Sequence, residues 1–197
     1  MPDKAWKVLE RKIGKLLQGE RVKRMGDYAQ SATDVVLHDL PEIKIDCKLR
    51  RSFLHHALFL ALPKPGRDRP RGLAVLVTRE AGERDPLVTV DVHFFAKLIQ
   101  ARRFKSPEGE LPRLDLHLKA RNRFKHHALH REIQSRYCNE NGGVPVLVTK
   151  EHRKKAYLVT VAAAFFAELL SPWGVQNSAL GVRVIRSRTP SAGGLDS

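Results

Sequence analysis

The chain has few cysteines, no long apolar run and too few acids to balance its bases. Its 197 residues include two cysteines, Cys47 and Cys138. Because Cys47 falls on the apolar side of an alternating pattern, we expect a buried free thiol, no disulfide and a reducing, cytoplasmic setting. No apolar run reaches the roughly 20 residues of a membrane-spanning helix. The N-terminal residues lack an apolar signal core, so we expect no secretion signal.

Several catalytic patterns are also missing. No glycine-rich loop is followed by Lys-Ser or Lys-Thr, which argues against ATP-driven chemistry. No serine or cysteine nucleophile has a convincing base partner in the pattern. No helix combines a large apolar face with a basic one, so a membrane surface is a weak candidate partner.

The strongest bulk signal is positive charge. Lysine and arginine number 36 against 21 acids, which gives a net charge of +15. A field of this sign attracts polyanions, and nucleic acid is the first candidate. An apolar fraction of 42% is typical of a globular protein with a real core.

Apolar periodicity indicates a mixed α/β chain. Helical spacing predicts a first helix over 5–18, with Trp6 as a packing residue, followed by a basic connection over 19–30. Period-two alternation predicts a strand over 42–49, because strand side chains alternate between faces. The same reasoning predicts further strands over 34–38, 73–78 and 87–92, and helices over 53–62, 93–101 and 125–137.

The pattern then repeats. Sliding the sequence by 71 positions aligns residues 40–99 with 111–170 without a gap, and 23 of the 60 pairs are identical. We therefore expect an internal duplication, each unit reading strand, helix, strand, strand, helix. The predicted division is a first unit over 1–102, a second over 103–175, and a basic, flexible tail over 176–197.

A candidate metal site lies in the first unit. Asp46 and Lys48 share the polar face of the strand over 42–49, and Asp34 opens the preceding strand. Carboxylate oxygens at neighbouring strand ends suit Mg²⁺, and a lysine there is placed to assist a water attacking phosphate. Glu10, on the first helix, is a candidate for a second ion or for the water shell of the first. An acid-x-Lys triplet alone is more typical of a solvated strand face. The aspartate 12 residues earlier, the apolar residues on the opposite face of the strand and the basic charge of the chain together favour a metal site.

These residues resemble the PD-(D/E)XK nuclease superfamily, and within it the archaeal and phage-type Holliday junction resolvases. The resemblance covers residues 4–99 and, through the repeat, 111–170. It implies a restriction-endonuclease-like mixed sheet flanked by helices. It also implies cleavage of branched DNA, such as four-way junctions, with Mg²⁺ or substituting Mn²⁺, usually by a homodimer. Glu10, Asp34, Asp46 and Lys48 match the family's catalytic positions, and Ser31 matches a small hydroxyl residue before the aspartate.

The second unit departs from this pattern. His117 stands where Asp46 would fall, and Lys105 where Asp34 would fall, so only Lys119 survives. The triplet acid of the first unit is also Asp where such resolvases usually carry Glu. The second unit is therefore a candidate pseudo-partner that replaces a protomer without cutting, as an alternative to a homodimer.

Other residues have weaker assignments. The histidines of 55–56 and 126–130 are more typical of polar helix residues near phosphate, or of positions simply inherited through the repeat, than of zinc ligands. The paired phenylalanines at 94–95 and 165–166 indicate core more than base stacking. Basic residues after the active strand of each unit are candidate DNA contacts. They are Arg50, Arg51, Lys119, Arg121, Arg123 and Lys125.

Two rival functions remain open. One is a non-catalytic nucleic-acid-binding protein on the same fold, with a first unit as degenerate as the second. A binding module gains little from acids held against a phosphate backbone, which favours the nuclease. The other is a nuclease that acts on duplex ends, single strands or another DNA structure, because such enzymes share the metal site.

Overall fold

An eight-stranded mixed sheet, flanked by helices, organises the chain. The computed structural model describes residues 4–22, 33–40, 42–51, 54–62, 73–105, 112–121, 125–138, 143–153 and 155–170. The helices are α1 (Ala5–Leu16), α2 (His55–Leu60), α3 (Val92–Lys105), α4 (His126–Ile133) and α5 (Ala163–Leu170). The strands are β1 (Gly19–Arg21), β2 (Val35–Leu37), β3 (Ile43–Arg50), β4 (Leu73–Glu80), β5 (Leu87–Asp91), β6 (Leu114–Arg121), β7 (Val144–Glu151) and β8 (Tyr157–Ala162). The predicted mixed α/β class is confirmed.

The strand order is β1-β2-β3-β4-β5-β8-β7-β6. Two pairs are parallel, β3 with β4 and β6 with β7, and each pair is joined through a helix. The remaining pairs are antiparallel. Parallel neighbours require a crossover connection, which includes α2 in one pair and α4 in the other.

Two halves of the chain have the same element order and meet at the middle of the sheet. One runs β3-α2-β4-β5-α3 and the other β6-α4-β7-β8-α5. They meet where β5 pairs antiparallel with β8, and Thr89 lies directly opposite Thr160, 71 residues later. The two threonine hydroxyls are 2.9 Å apart. A local two-fold axis therefore passes between these side chains.

Reciprocal hydrogen bonds cross this junction on one face of the sheet. His56 Nε2 lies 3.0 Å from Thr149 Oγ1, and His127 Nε2 lies 3.1 Å from Thr78 Oγ1. The second contact repeats the first with each residue replaced by its partner 71 positions away. Each half thus places a helix histidine against a strand threonine of the other half.

A stacked histidine pair lies beside these bonds. The rings of His55 and His126 are parallel within 4°, with centroids 4.0 Å apart. His55 Nε2 lies 3.0 Å from Thr78 Oγ1, and His126 Nδ1 lies 2.9 Å from Thr160 Oγ1. All these histidines, with His130, are buried. The expectation of polar helix residues near phosphate is therefore wrong, because the helices turn the histidines inward onto the sheet.

The opposite face of the sheet carries the main apolar core. Leu9 and Ile13 of α1 pack with Ile45 of β3, since residues four apart on a helix share a face. Phe94 of α3 and Phe166 of α5 meet edge to face, with ring centroids 6.5 Å apart. These two phenylalanines are buried, which confirms their core assignment.

Several local expectations are corrected. The segment after α1 was expected to be a connection, but Gly19–Arg21 forms β1 and pairs with β2. The helix expected over 125–137 ends at Ile133 and continues as a π-helical turn, Gln134–Cys138. Trp6 is 40% exposed. Its ring lies under the Arg21 guanidinium at 5.4 Å, so it is a cation–π partner and not a core residue.

Some expectations fall outside the described residues, namely Ser31, Arg123 and the tail over 176–197. Within the described ranges, none of the helices has the length and apolar character needed to cross a membrane.

The buried histidines predict a loss of stability in mild acid. Burial lowers the pKa of His55 from 6.5 to about 3 and that of His127 to about 4, so both stay neutral in the folded chain. An unfolded chain takes up these protons below about pH 6.5. We expect the free energy of unfolding to fall between pH 6.5 and 4, by up to about 1.4 kcal/mol per pH unit for each histidine. Urea midpoints at pH 7 and pH 5 measure the effect.

A matched pair of variants isolates the histidine contribution. His55→Asn removes one buried titrating group and is expected to reduce the pH slope. His152→Asn removes an exposed histidine and is expected to keep the wild-type slope. Identical urea midpoints of the wild-type chain at the two pH values would contradict the buried, neutral assignment.

Candidate active site

Asp34 is held at the edge of β3 by backbone hydrogen bonds. It lies just before β2, whose Val35 pairs with Ile45. The Asp34 amide donates to the Ile45 carbonyl at 2.8 Å, and the Cys47 amide donates to Asp34 Oδ2 at 2.8 Å. On the N-terminal side of β2, the Asp34 carboxylate thus continues the hydrogen bonding between this segment and β3. Asp34 is only 5% exposed, so its position is well constrained.

Asp46 and Lys48 join Asp34 in one compact group. Lys48 Nζ lies 2.6 Å from Asp46 Oδ1 and 3.9 Å from Asp34 Oδ2. Asp46 is 6% exposed, while 30% of the Lys48 side chain is open to solvent. The period-two alternation of β3 puts Asp46 and Lys48 on the same face. The structure thus brings together three of the four predicted catalytic residues.

The Asp34 carboxyl disfavours the charged form of the Asp46 carboxyl. Burial, and after it a hydrogen bond with Asp34, raise the pKa of Asp46 from 3.8 to about 6. Lys48 acts in the opposite direction, but it does not cancel the rise. The Asp46 carboxyl therefore takes up a proton near pH 6, and a bound cation would instead favour its charged form.

Cys47 is a buried free cysteine, as expected. Burial raises the pKa of its thiol well above the usual value, and the nearby Asp34 and Glu10 carboxylates add to the rise. A thiol of this kind stays protonated, so it packs in the core and is not a nucleophile.

Glu10 is close to this group but has a different partner. It is buried on α1, and its Oε2 accepts from Arg21 Nε at 2.5 Å. Among the described ranges, no three or more histidine, cysteine or acidic side chains converge in a way that could hold a metal ion. Glu10 is therefore not brought into one ligand set with Asp34 and Asp46. Its metal-binding role stays a prediction.

Arg21 is the residue of this region that sequence reasoning missed. It lies on β1, in a segment whose charge and glycines indicated a loop. Its side chain is 23% exposed, between the Glu10 carboxylate and the Trp6 ring. The signal that could have revealed it is the buried position of Glu10 on the inner face of α1, since a buried carboxylate needs a cationic or hydrogen-bonding partner.

The matching position of the other half lacks the carboxylates. Lys119 pairs with Thr149 across the β6-β7 ladder, as Lys48 pairs with Thr78 across β3-β4. His117 takes the place of Asp46. The lysine position is thus shared by the two halves, whereas the acids occur in one.

The candidate DNA-binding residues that the structure describes do not all lie on one strand. Arg50 and Arg51 are exposed at the end of β3, and Lys125 is exposed just before α4. Lys119 is half-buried on β6, and Arg121 ends that strand. β3 is the third strand of the sheet and β6 the eighth, so Arg50 lies on a different part of the sheet from Lys119 and Arg121.

No family model, no curated protein and no solved structure matches the chain.

The geometry predicts an unusual titration of Asp46. We expect its carboxyl ¹³C signal to titrate near pH 6, because burial and Asp34 both favour the protonated form. Lys48→Met removes the opposing ammonium and is expected to raise the midpoint by about one pH unit. Lys97→Met, an exposed change on α3, is expected to leave it unchanged. A wild-type midpoint near 4 would contradict the burial of Asp46 beside Asp34.

Proposed function

We propose that the chain is a metal-dependent DNA endonuclease similar to a Holliday junction resolvase. The observation that carries the proposal is the group of Asp34, Asp46 and Lys48, in which two buried carboxyls lie within reach of one partly exposed ammonium. Burying two acids together is costly unless a cation compensates them. A divalent ion bound between the two carboxylates would supply that compensation.

The donor set fits Mg²⁺ better than a softer metal. Asp34 and Asp46 offer hard carboxylate oxygens, and the pKa of Asp46 is raised mainly by burial and then by its hydrogen bond with Asp34. Mg²⁺ is commonly held by one or two carboxylates, with waters and substrate phosphate in its other positions. Asp34 and Asp46 would hold the ion, and Mn²⁺ would substitute for Mg²⁺. Glu10 is the candidate for a second ion or for the water shell of the first. The bound ion would supply Lewis-acid activation of water and of the phosphate.

The chain's own residues have separable roles in this reaction. The Cys47 amide and the backbone of β3 fix the Asp34 carboxylate, so that it needs little rearrangement to bind. Lys48 Nζ, exposed on one side and hydrogen-bonded to Asp46 on the other, orients the attacking water and stabilises charge on the pentavalent phosphorus. The deprotonated form of Asp46 is the form that binds.

We further propose that the fold is restriction-endonuclease-like and arose by internal duplication. The gapless 71-residue repeat and the two-fold arrangement about Thr89 and Thr160 support this origin. In this proposal the second unit occupies the place of a protomer, so the chain is an intramolecular pseudo-dimer with one catalytic centre.

The charge of the chain supports DNA as the substrate. A net charge of +15 favours binding to phosphates independently of sequence. Selectivity would then come from DNA shape, which is why a four-way junction or another branched structure is the proposed substrate. The binding-only alternative does not account for Asp34 and Asp46, because buried acids oppose a phosphate backbone.

Cleavage of a labelled four-way junction tests the proposal. We expect Mg²⁺-dependent nicks near the branch point, absent with EDTA and absent from a linear duplex of the same sequence. Asp46→Asn removes a ligand charge and Lys48→Ala removes the ammonium. Each is expected to lower the rate at least about 100-fold, the scale of losing one essential charged group.

Matched variants control for charge and folding. Asp39→Asn and Lys97→Met make the same charge changes at exposed positions and are expected to keep wild-type cleavage. Full activity of Asp46→Asn would refute the site. Cutting of junction and duplex alike would keep the nuclease and reject the junction substrate, and binding without cutting would support the binding-only alternative.

Metal binding is expected to weaken in mild acid. Because the pKa of Asp46 is about 6, a proton competes with Mg²⁺ below that pH. We expect the apparent Mg²⁺ affinity to fall up to about tenfold per pH unit below 6 and to level off above 7. Calorimetric titration of the full chain at pH 5, 6 and 7.5 measures this. In Asp46→Asn the pH-dependent step should vanish, and an identical profile there would contradict the assignment.

A further inference from the structure

Among the strands that the structure describes, β6 lies at one edge of the sheet. Its inner side pairs with β7 along Leu114 to Arg121, and none of the described residues pairs with its outer side. In the first half, β3 occupies the matching place but is bordered by β2. A strand edge with unpaired N–H and C=O groups is a template for adding another strand.

The same strand has an uncovered apolar face. Leu116 is 64% exposed and Leu118 is 65% exposed. Their counterparts 71 residues earlier are buried, Ile45 at 0% and Cys47 at 7%. α1 packs over that region of the first half, and none of the described elements takes this position over β6. The half without an equivalent of α1 thus presents leucines beside an open backbone edge.

The hydrogen-bonding direction of β6 fixes which residues can pair outward. Val144 N donates to the Arg113 carbonyl at 2.8 Å, so residue 113 directs its backbone groups to β7. Backbone direction alternates along a strand, which leaves the even-numbered residues from 114 to 120 directed to the open edge. In an antiparallel partner strand, the residues whose backbone groups are directed to the shared edge must lie opposite these even-numbered residues of β6.

The order of side chains on β6 is self-complementary about His117. In an antiparallel pairing of two β6 strands centred there, Leu116 lies opposite Leu118 of the second copy, and both direct their backbone groups to the shared edge. Asp115 then lies opposite Lys119 of the second copy. Opposite charges and apolar pairs at facing positions both stabilise a sheet.

We propose that β6 is a homodimerisation edge, which pairs with β6 of a second copy in this register. The leucines of the two copies cover each other on one face of the joined sheet. Asp115, which accepts from Arg113 Nε at 3.1 Å in the single chain, meets Lys119 of the second copy on the other face. This interface lies at the opposite end of the sheet from the β2-β3 site, and it does not rest on the proposed nuclease activity.

Cysteine cross-linking tests both the partner and the register. In the proposed pairing the two His117 residues face each other across the two-fold axis as a non-hydrogen-bonded pair, with Cα atoms about 4.5 Å apart. That spacing permits a disulfide. We expect His117→Cys to give a covalent dimer under mild oxidation, at least tenfold faster than Lys119→Cys. The latter is the matched control, because two Lys119 positions would be over about 10 Å apart.

Further measurements separate pairing from misfolding and from random collision. Light scattering on the full wild-type chain is expected to show a concentration-dependent dimer. Leu116→Lys is expected to weaken that dimer at least tenfold and to slow cross-linking of His117→Cys, while its circular dichroism spectrum stays that of the wild type. The same substitution at Val8, an exposed residue of α1, is the control and is expected to leave the dimer intact.

Other occupants of the edge would give different results. If residues 171–197 of the same chain or a strand of another protein cover β6, the wild-type chain is monomeric at about 100 μM, a concentration at which micromolar association is saturated. His117→Cys and Lys119→Cys then cross-link at equal, slow rates. Either result overturns the proposal.

Discussion

The pairing of β5 with β8 is the constraint on which the rest of the molecule depends. It joins two halves of the same element order into one sheet and sets Thr89 opposite Thr160. In this register, histidines of α2 and α4 contact threonines of the opposite half. His56 contacts Thr149, and the counterparts of these two residues, His127 and Thr78, contact each other in the same way. A slip of one residue would turn every side chain of the ladder to the wrong face.

This centre is unusual in being polar and buried. Histidine and threonine side chains fill a position that apolar residues commonly occupy, and they do so with specific contacts between the halves. A hydrogen-bonded polar cluster specifies one arrangement more strictly than an apolar core does, because an unpaired buried group is costly. Because these contacts involve neutral imidazole rings, we expect the stability of the contact between the two halves to depend on pH.

The two halves differ mainly in what borders their first strand. In one half, α1, β1 and β2 cover β3 and bring Asp34 to Asp46 and Lys48. In the other, β6 keeps the lysine, lacks the acids and exposes its leucines. The segment of α1, β1 and β2 thus brings Asp34 to the site and borders β3, whereas the outer side of β6 has no partner strand among the described residues.

The sequence alone was sufficient for the features that depend on local periodicity. Alternation predicted β3 and the shared face of Asp46 and Lys48, helical spacing predicted α1, and the mixed α/β class followed from the order of elements. Tertiary structure decided what depends on contacts between distant residues. The burial of the histidines and the Glu10–Arg21 ion pair depend on contacts between separate elements of the fold, which no local pattern encodes. β1 was missed for the same reason, since a three-residue strand is stabilised by its neighbour and not by its own propensity.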